Sequence, residues 1–293
     1  MQLLKKFMIL LLLTVSISVH AEQYKMLMVI GGVGGYSWRL SKILETEIAK
    51  LNGDNLIVDT LSSANGFVGI NHFNANQTYD LTITTSSLEA DVLTKNATVD
   101  YKVVKVLGWS NLIWITNSMS NIKTPNDIKT FKPPFIGVTG PGPTLIGKRM
   151  CEFQKYECDV VPFKSMSDMW IPFFNNTIST ALVAATPEVL NFAKLGKLQI
   201  VGSTAPITMT IGEQKVPSVP NTIGGATYTP MLFLAARKSM PDEKLNRILA
   251  SVSTVMNKPE ISEQIQKEFL LFPYTSKINN IDELVRENAN SLR

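Results

Sequence analysis

Tyr24-Lys25-Met26-Leu27-Met28-Val29-Ile30, followed without a break by Gly31-Gly32-Val33-Gly34-Gly35-Tyr36-Ser37-Trp38-Arg39, decides the fold class. The first part is mostly apolar and free of glycine and proline, so it reads as a buried strand. The glycines that follow leave a loop almost bare of side chains. From Trp38 to Leu51 the apolar residues Trp38, Leu40, Ile43, Leu44 and Ile48 recur at helical spacing. A strand, a glycine loop and a helix in that order open an α/β unit. Such a loop turns backbone N–H groups outward at a helix N-terminus, a setting that suits an anion.

The residues before this stretch address the compartment. Lys5 and Lys6 precede an apolar run, Phe7 to Ser18, and Val19-His20-Ala21 supplies small residues where cleavage usually falls. Residues 1–21 are expected to be a secretory signal peptide, and the apolar run is short for a membrane span. An uncleaved anchor is the alternative. No lipobox cysteine follows, and no later run reaches membrane-spanning length, so a soluble periplasmic protein is expected. The formal net charge of the whole chain is +4. Two of the lysines leave with the signal peptide, and the near-neutral balance that remains argues against nucleic acid as a partner.

Export also limits the chemistry. Of the two histidines, His20 belongs to the signal segment, leaving His72 alone. That weakens any Ser/His or Cys/His catalytic scheme, and a lone histidine in a helical stretch is more often structural or solvent-facing. The two cysteines, Cys151 and Cys158, leave two states open. A continuous helix would hold them about 10 Å apart along its axis, too far for a bond. A disulfide needs the helix to end near Tyr156; otherwise both remain buried thiols. Zinc lacks further ligands at suitable spacing, so no metal is expected.

The pattern of strand and helix continues. Strands are expected at Asn55–Leu61, Leu81–Thr84, Val103–Leu107 and Leu112–Thr116. It restarts at Thr124-Pro125, an N-cap followed by proline at the first helical position. Phe135–Val138 is then a strand, Thr139–Thr144 a second small-residue loop, and a helix begins at Leu145. Further strands are expected at Asp159–Pro162, Ser179–Ala184, Leu198–Ser203 and Phe233–Ala236, and helices at Asp242–Met256, Ile261–Phe269 and Ile281–Leu292. The fold class is α/β: two lobes, each a mainly parallel sheet flanked by helices, with a cleft between them lined by loops beyond the strand ends. The expected boundaries are 22–117 plus 230–293 for the first lobe and 118–229 for the second.

Several motifs invite sharper readings. Gly32-Val33-Gly34 before a helix, with Asp59 closing the second strand, imitates a dinucleotide fingerprint, but Ser37 stands at the third glycine position. Gly142-Pro143-Thr144-Leu145-Ile146-Gly147-Lys148 matches a phosphate loop, yet Arg149 replaces the magnesium-binding hydroxyl and Pro143 removes a donor. Glu45, Glu47, Glu152 and Glu157 look like solvated helix faces, and there is no Gly-x-Ser-x-Gly elbow. Thr84-Thr85-Ser86-Ser87 follows the third strand; it can cap a helix over Leu88–Leu93 and can also offer donors to a carboxylate.

An ordered set of segments resembles a known family. Val161-Pro162-Phe163-Lys164-Ser165, then Asn175–Ala184, then Ala193-Lys194-Leu195-Gly196-Lys197-Leu198 resembles the "VPYKG … AGKL" stretch of tripartite tricarboxylate transporter solute receptors, the Bug family. Pro217–Thr222 resembles their "PDVPT" segment, and Gly31–Arg39, Ser63–Gly69, Thr84–Ser87 and Thr139–Thr144 fall at their ligand loops. The resemblance implies a two-lobed type II periplasmic binding protein that hands a small carboxylate-bearing solute to a membrane permease of two further proteins. It implies ligand contacts at Gly34, Gly35, Tyr36 and Ser37, at Asn65, Thr84, Thr85 and Ser86, at Gly142, Pro143 and Thr144, and at Ala184, Ala185 and Thr186. Here the first loop lacks the family's proline and aspartate, and Tyr36 and Trp38 add aromatic bulk. The protein expected on this basis is a monomer without cofactor or catalysis. A receptor of the TRAP-associated type, whose "GGxGGxY" loop resembles Gly31–Tyr36, is the alternative, as is the same fold passing ligand occupancy to a membrane sensor; a periplasmic hydrolase is a third class.

Overall fold

The computed structural model describes residues 21–30, 36–61, 66–163, 165–274 and 278–290, with Tyr36 described in its backbone only. The chain begins with β1 (Gln23–Met28), α1 (Tyr36–Asn52), β2 (Asn55–Thr60), α2 (Phe67–Ala75), β3 (Leu81–Thr85), α3 (Ser86–Thr94) and β4 (Tyr101–Trp109). It continues through β5 (Leu112–Asn117), α4 (Pro125–Phe131), β6 (Phe135–Thr139), α5 (Pro141–Gln154), β7 (Asp159–Phe163), α6 (Met166–Phe174), β8 (Thr180–Ala184), α7 (Pro187–Lys194) and β9 (Leu198–Ser203). A small hairpin of β10 (Met209–Ile211) and β11 (Gln214–Val216) and the short α8 (Val219–Ile223) precede β12 (Met231–Arg237). The helices α9 (Asp242–Met256), α10 (Pro259–Phe269) and α11 (Ile281–Asn290) follow.

These strands form two five-stranded sheets, ordered β2-β1-β3-β12-β4 and β7-β6-β8-β5-β9. In the first, β1, β2 and β3 are parallel and β12 runs antiparallel to both its neighbours. In the second, β6, β7 and β8 are parallel and β5 is antiparallel to β8 and β9. The two sheets thus share one strand pattern, and in each a single reversed strand sits fourth. That strand is supplied by the chain as it crosses from the other sheet. The strand Leu112–Asn117, grouped with the first lobe in the sequence reading, therefore lies in the second sheet. The crossing falls at Ser110-Asn111 rather than at the expected 117/118 boundary, because β4 and β5 are separated by those two residues alone.

Apolar faces of the helices close both sides of each sheet. One face of the first sheet packs Leu40, Leu44 and Ile48 of α1 against Leu245, Ile248, Val252 and Val255 of α9, residues spaced for one helical stripe. The other face packs Ile70 and Phe73 of α2 with Leu88 of α3 and Val285 of α11. In the second sheet, Ile128 of α4, Ile146 and Met150 of α5 and Ile223 of α8 cover one side. Met169, Trp170 and Phe173 of α6 and Val189 of α7 cover the other. Thr124 and Asp127 complete the expected helix start as a capping box with Pro125 inside it.

Two local expectations are corrected. The helix of the second unit begins at Pro141, four residues before Leu145, because proline is tolerated in a first turn whose N–H groups have no intrahelical partner. The helix α7, the hairpin and α8 were not foreseen. Proline at the first turn of α7 and α8 made their sequences look like breaks. Of the two states open to the cysteines, Cys151 and Cys158 form a disulfide. The helix α5 stops at Gln154, Lys155 takes a left-handed conformation (φ 53°), and the turned-back chain brings the two Cα atoms to 6.1 Å. Replacing both cysteines with serine should lower stability by about 2–3 kcal/mol, the loop-entropy value for so short a closed loop. Urea unfolding of the variant against the oxidised wild type measures this, with equal midpoints as the contrary result.

Candidate functional site

The parallel strands send their following helices off at one end of each sheet. Beyond β1, β2 and β3 begin α1, α2 and α3; beyond β6, β7 and β8 begin α5, α6 and α7. Helix N-termini carry partial positive charge and unpaired N–H groups. Two of these starts, one from each sheet, meet. A Cβ built on Gly142, in the first turn of α5, would stand 3.2 Å from Cβ of Ser87 in the first turn of α3. It would also stand 3.1 Å from Cε1 and 3.3 Å from Oη of Tyr228. These spacings are tight for any side chain, so glycine is what lets the two loops approach this closely.

The sequence-derived residues fall as follows. Gly34, Gly35 and Asn65 lie outside the described residues. Tyr36 opens α1. Ser37 is buried, and its carbonyl accepts the Ser41 hydroxyl at 2.8 Å. Thr84 is buried at the end of β3. Thr85 is the N-cap of α3: its Oγ1 accepts the Leu88 N–H at 3.4 Å and lies 3.1 Å from Oγ of Ser87. Ser86 Oγ accepts the Met231 N–H at 2.8 Å and lies 3.1 Å from Tyr228 Oη. In the second sheet, Gly142 and Pro143 are buried in the first turn of α5, and the Thr144 hydroxyl donates to the Gly140 carbonyl at 2.8 Å. Ala184 pairs in register with Leu112. The Ala185 N–H donates to the Asn111 carbonyl at 2.9 Å, and Thr186 caps α7 by accepting the Val189 N–H.

The structure brings Ser86, Ser87 and Gly142 together and adds Tyr228, which no sequence motif marked. The hydroxyls of Thr85, Thr144 and Thr186 make local bonds at helix starts. Trp38 stands apart from the meeting point: it lines a groove of about 360 Å³ between α1 and α10, with Ile43 and Phe269.

The competing motifs resolve on geometry. Gly142 to Lys148 lie within α5, and a Cβ on Gly147 would stand 3.3 Å from both methyls of Val160, so this glycine serves helix-to-strand packing. Asp59 accepts the Tyr79 hydroxyl at 3.1 Å. Glu45 and Glu47 form ion pairs with Lys42, and with Lys50 and Lys258. His72 is exposed beside the Tyr79 ring. Behind α3, Glu89 is 6% exposed and accepts the Tyr101 hydroxyl at 3.0 Å. Burial holds its carboxyl above the ordinary range, partly offset by that hydrogen bond.

No family model matches this chain, and no curated protein matches it in sequence. Its structure does have close likenesses. A Rhodopseudomonas palustris protein solved with adipate superposes with a TM-score of 0.77 at 14% identity, covering 92% of this chain and 94% of its own. MatC from the same organism, solved with bound malate, gives 0.76 at 12% identity over 92% and 97%. A TctC solute-binding protein from Polaromonas gives 0.71 at 14% identity over 93% and 97%. Among the described residues no helix is long and apolar enough to cross a membrane.

The raised Glu89 value has a pH signature. A carboxyl whose folded value exceeds its unfolded one contributes stability at low pH that is lost as pH rises through the folded value. Wild type should therefore lose melting temperature as pH rises above the ordinary glutamate value of about 4.3, and Glu89→Gln should lose less. Parallel melting curves for the two proteins across that range would disprove the assignment. With both lobes, the reversed fourth strands and the facing helix starts in place, the chain has the two-lobed fold of the tricarboxylate-transporter type of periplasmic binding protein.

Proposed function

We propose that this protein is a periplasmic receptor that closes over a small solute bearing one or more carboxylates and delivers it to a tripartite-type membrane permease, without catalysis. The observation that carries the reading is the meeting of two helix starts, α3 and α5, at Ser87 and Gly142. Anionic groups are favoured at such starts, and here two of them act on one point. Backbone N–H groups would hold the carboxylates, joined by those of Gly34 and Gly35 in the first glycine loop of the sequence. The likeness to proteins solved with malate and with adipate agrees with this choice of solute.

The first lobe in this reading comprises β1 to β4 with β12 and the final helices, and the second comprises β5 to α8. The hinge is placed at Ser110-Asn111 and at Thr229-Pro230, where the chain passes between sheets. Residues 1–21 act as the cleaved export signal, which sets the protein in the periplasm as a monomer.

Thermal-shift screening tests the proposal with malate, adipate, citrate, an amino acid and an aromatic acid. A true ligand at a hundred times its Kd adds about 2.7 kcal/mol of stability. At least one carboxylate should give that response, and Gly34→Val should remove it while leaving the circular dichroism of the folded protein unchanged. Absence of any carboxylate response sinks the solute assignment; an unchanged response in Gly34→Val moves the site away from the first loop.

A further inference from the structure

Tyr228 belongs to the segment that leads from α8 back to the first sheet, and its backbone is fixed to the second sheet on both sides. Its N–H donates to the Thr204 carbonyl at 3.0 Å, and its carbonyl accepts the Thr204 hydroxyl at 2.6 Å. Thr204, directly after β9, is itself tied to the start of β5 by its N–H to the Leu112 carbonyl at 3.0 Å. The side chain reaches the other way. It is 3% exposed, and its hydroxyl lies 3.1 Å from Oγ of Ser86, the first residue of α3 and so part of the first sheet's loop system. Its Cε1 and hydroxyl stand 3.1 and 3.3 Å from a Cβ built on Gly142 of α5, with Ser87 Cβ also near at 3.2 Å. One side chain thus connects the first-turn residue of a helix on one sheet with the first-turn residue of a helix on the other.

We infer that Tyr228 is a positioning residue of the proposed cleft: its hydroxyl bond to Ser86 sets the separation of the two lobes and thereby the length of solute the closed cleft accepts. The inference rests on the receptor reading for its use, but the contact it invokes needs no ligand. The bond is made only when the lobes are together, because Ser86 is held to β12 through Met231 while Tyr228 is held to β9 through Thr204. A buried hydroxyl pair stabilises the arrangement in which it is satisfied, whereas opening exposes both groups to water, so the bias is modest and reversible. Gly142 completes the arrangement by leaving room for the ring.

The test separates closure from binding. Small-angle scattering is recorded on protein unfolded, dialysed free of solute and refolded with its disulfide intact. Wild type should give the compact curve of closed lobes, and Tyr228→Phe a larger radius of gyration. Ser86→Ala, which also deprives the Met231 N–H of its acceptor, should give at least as large an expansion, and the double variant no more than Ser86→Ala, because the Tyr228–Ser86 bond is then already lost. With whichever dicarboxylate of malate and adipate stabilises wild type, Tyr228→Phe should release it about tenfold faster, the kinetic equivalent of one hydrogen bond of about 1.4 kcal/mol. A Tyr228→Phe curve that superposes on wild type, or an additive double variant, overturns the inference. If Tyr228→Phe does not fold, a Ser86→Ala curve that superposes on wild type does so in its place. A lack of response to both dicarboxylates counts against the receptor reading alone, since the scattering comparison stands without them.

Discussion

The backbone pairing where the chain crosses between the two sheets is the constraint on which the rest of the structure depends. Ser110 donates its N–H to the Pro230 carbonyl at 2.9 Å, joining the outgoing and returning crossings. Beside it Trp109 and Phe272 exchange both backbone bonds, at 2.9 and 2.8 Å, and their rings lie 4.9 Å apart. Three passages of chain therefore run side by side. The close approach depends on Gly108, where a Cβ would stand 2.8 Å from the Phe272 carbonyl oxygen. Because each crossing continues directly into the reversed strand of a sheet, this pairing also fixes the register of β5 against β8 and of β12 against β3. In the proposed receptor these few residues joining two stiff sheets would serve as the hinge, and the backbone bonds between them would keep it from becoming a free linker.

That arrangement determines where charge can be held. With parallel strands on both sheets, the helix starts gather at one end of each, and the crossing turns those two ends toward one another. Ser87 and Gly142 are the point of contact. The second start is a weak donor by itself. Pro141 and Pro143 have no N–H, and the Thr144 N–H bonds to Gly140, so the first turn of α5 is left with the Gly142 N–H. The first start is richer, since Ser86 and Ser87 both keep their backbone donors within the first turn. An anion at the junction would accordingly lean on α3 more than on α5.

Much of the fold was legible in the sequence because its signals are local. The stripe Leu245, Ile248, Val252, Val255 marks α9 without any reference to the rest of the chain, and Thr124-Pro125 marks the start of α4. The sheet membership of Leu112–Asn117 was not legible. Its apolar, β-branched run says strand, but which sheet it joins is decided by the crossing at Ser110-Asn111 and by pairing with β8 and β9, remote in sequence. The helices α7 and α8 were hidden for a different reason: proline in a first turn looks like a breaker until the helix is seen to begin there. Tyr228 had no motif at all. Its neighbours Ser86 and Gly142 lie 142 and 86 residues away, so only the folded chain brings them to it.

The hydroxyls in the sequence-derived site list show a second limit, one of role and not of place. Thr85 and Thr186 stand at helix starts, where a hydroxyl oxygen can serve either a ligand or the backbone, and each is engaged with the N–H three residues on. The Thr144 hydroxyl is engaged with the carbonyl four residues back. A cap of this kind is worth about 1 kcal/mol to its helix, comparable to a single neutral hydrogen bond to a solute. Withdrawing the hydroxyl to meet a ligand would gain little over leaving it in place. The groups with nothing to lose are the first-turn N–H groups, which a helix cannot satisfy from within. Sequence pattern locates such starts through their Ser, Thr, Gly and Pro residues. The backbone those residues shape, more than their side chains, is what the two-sheet arrangement offers to an anion.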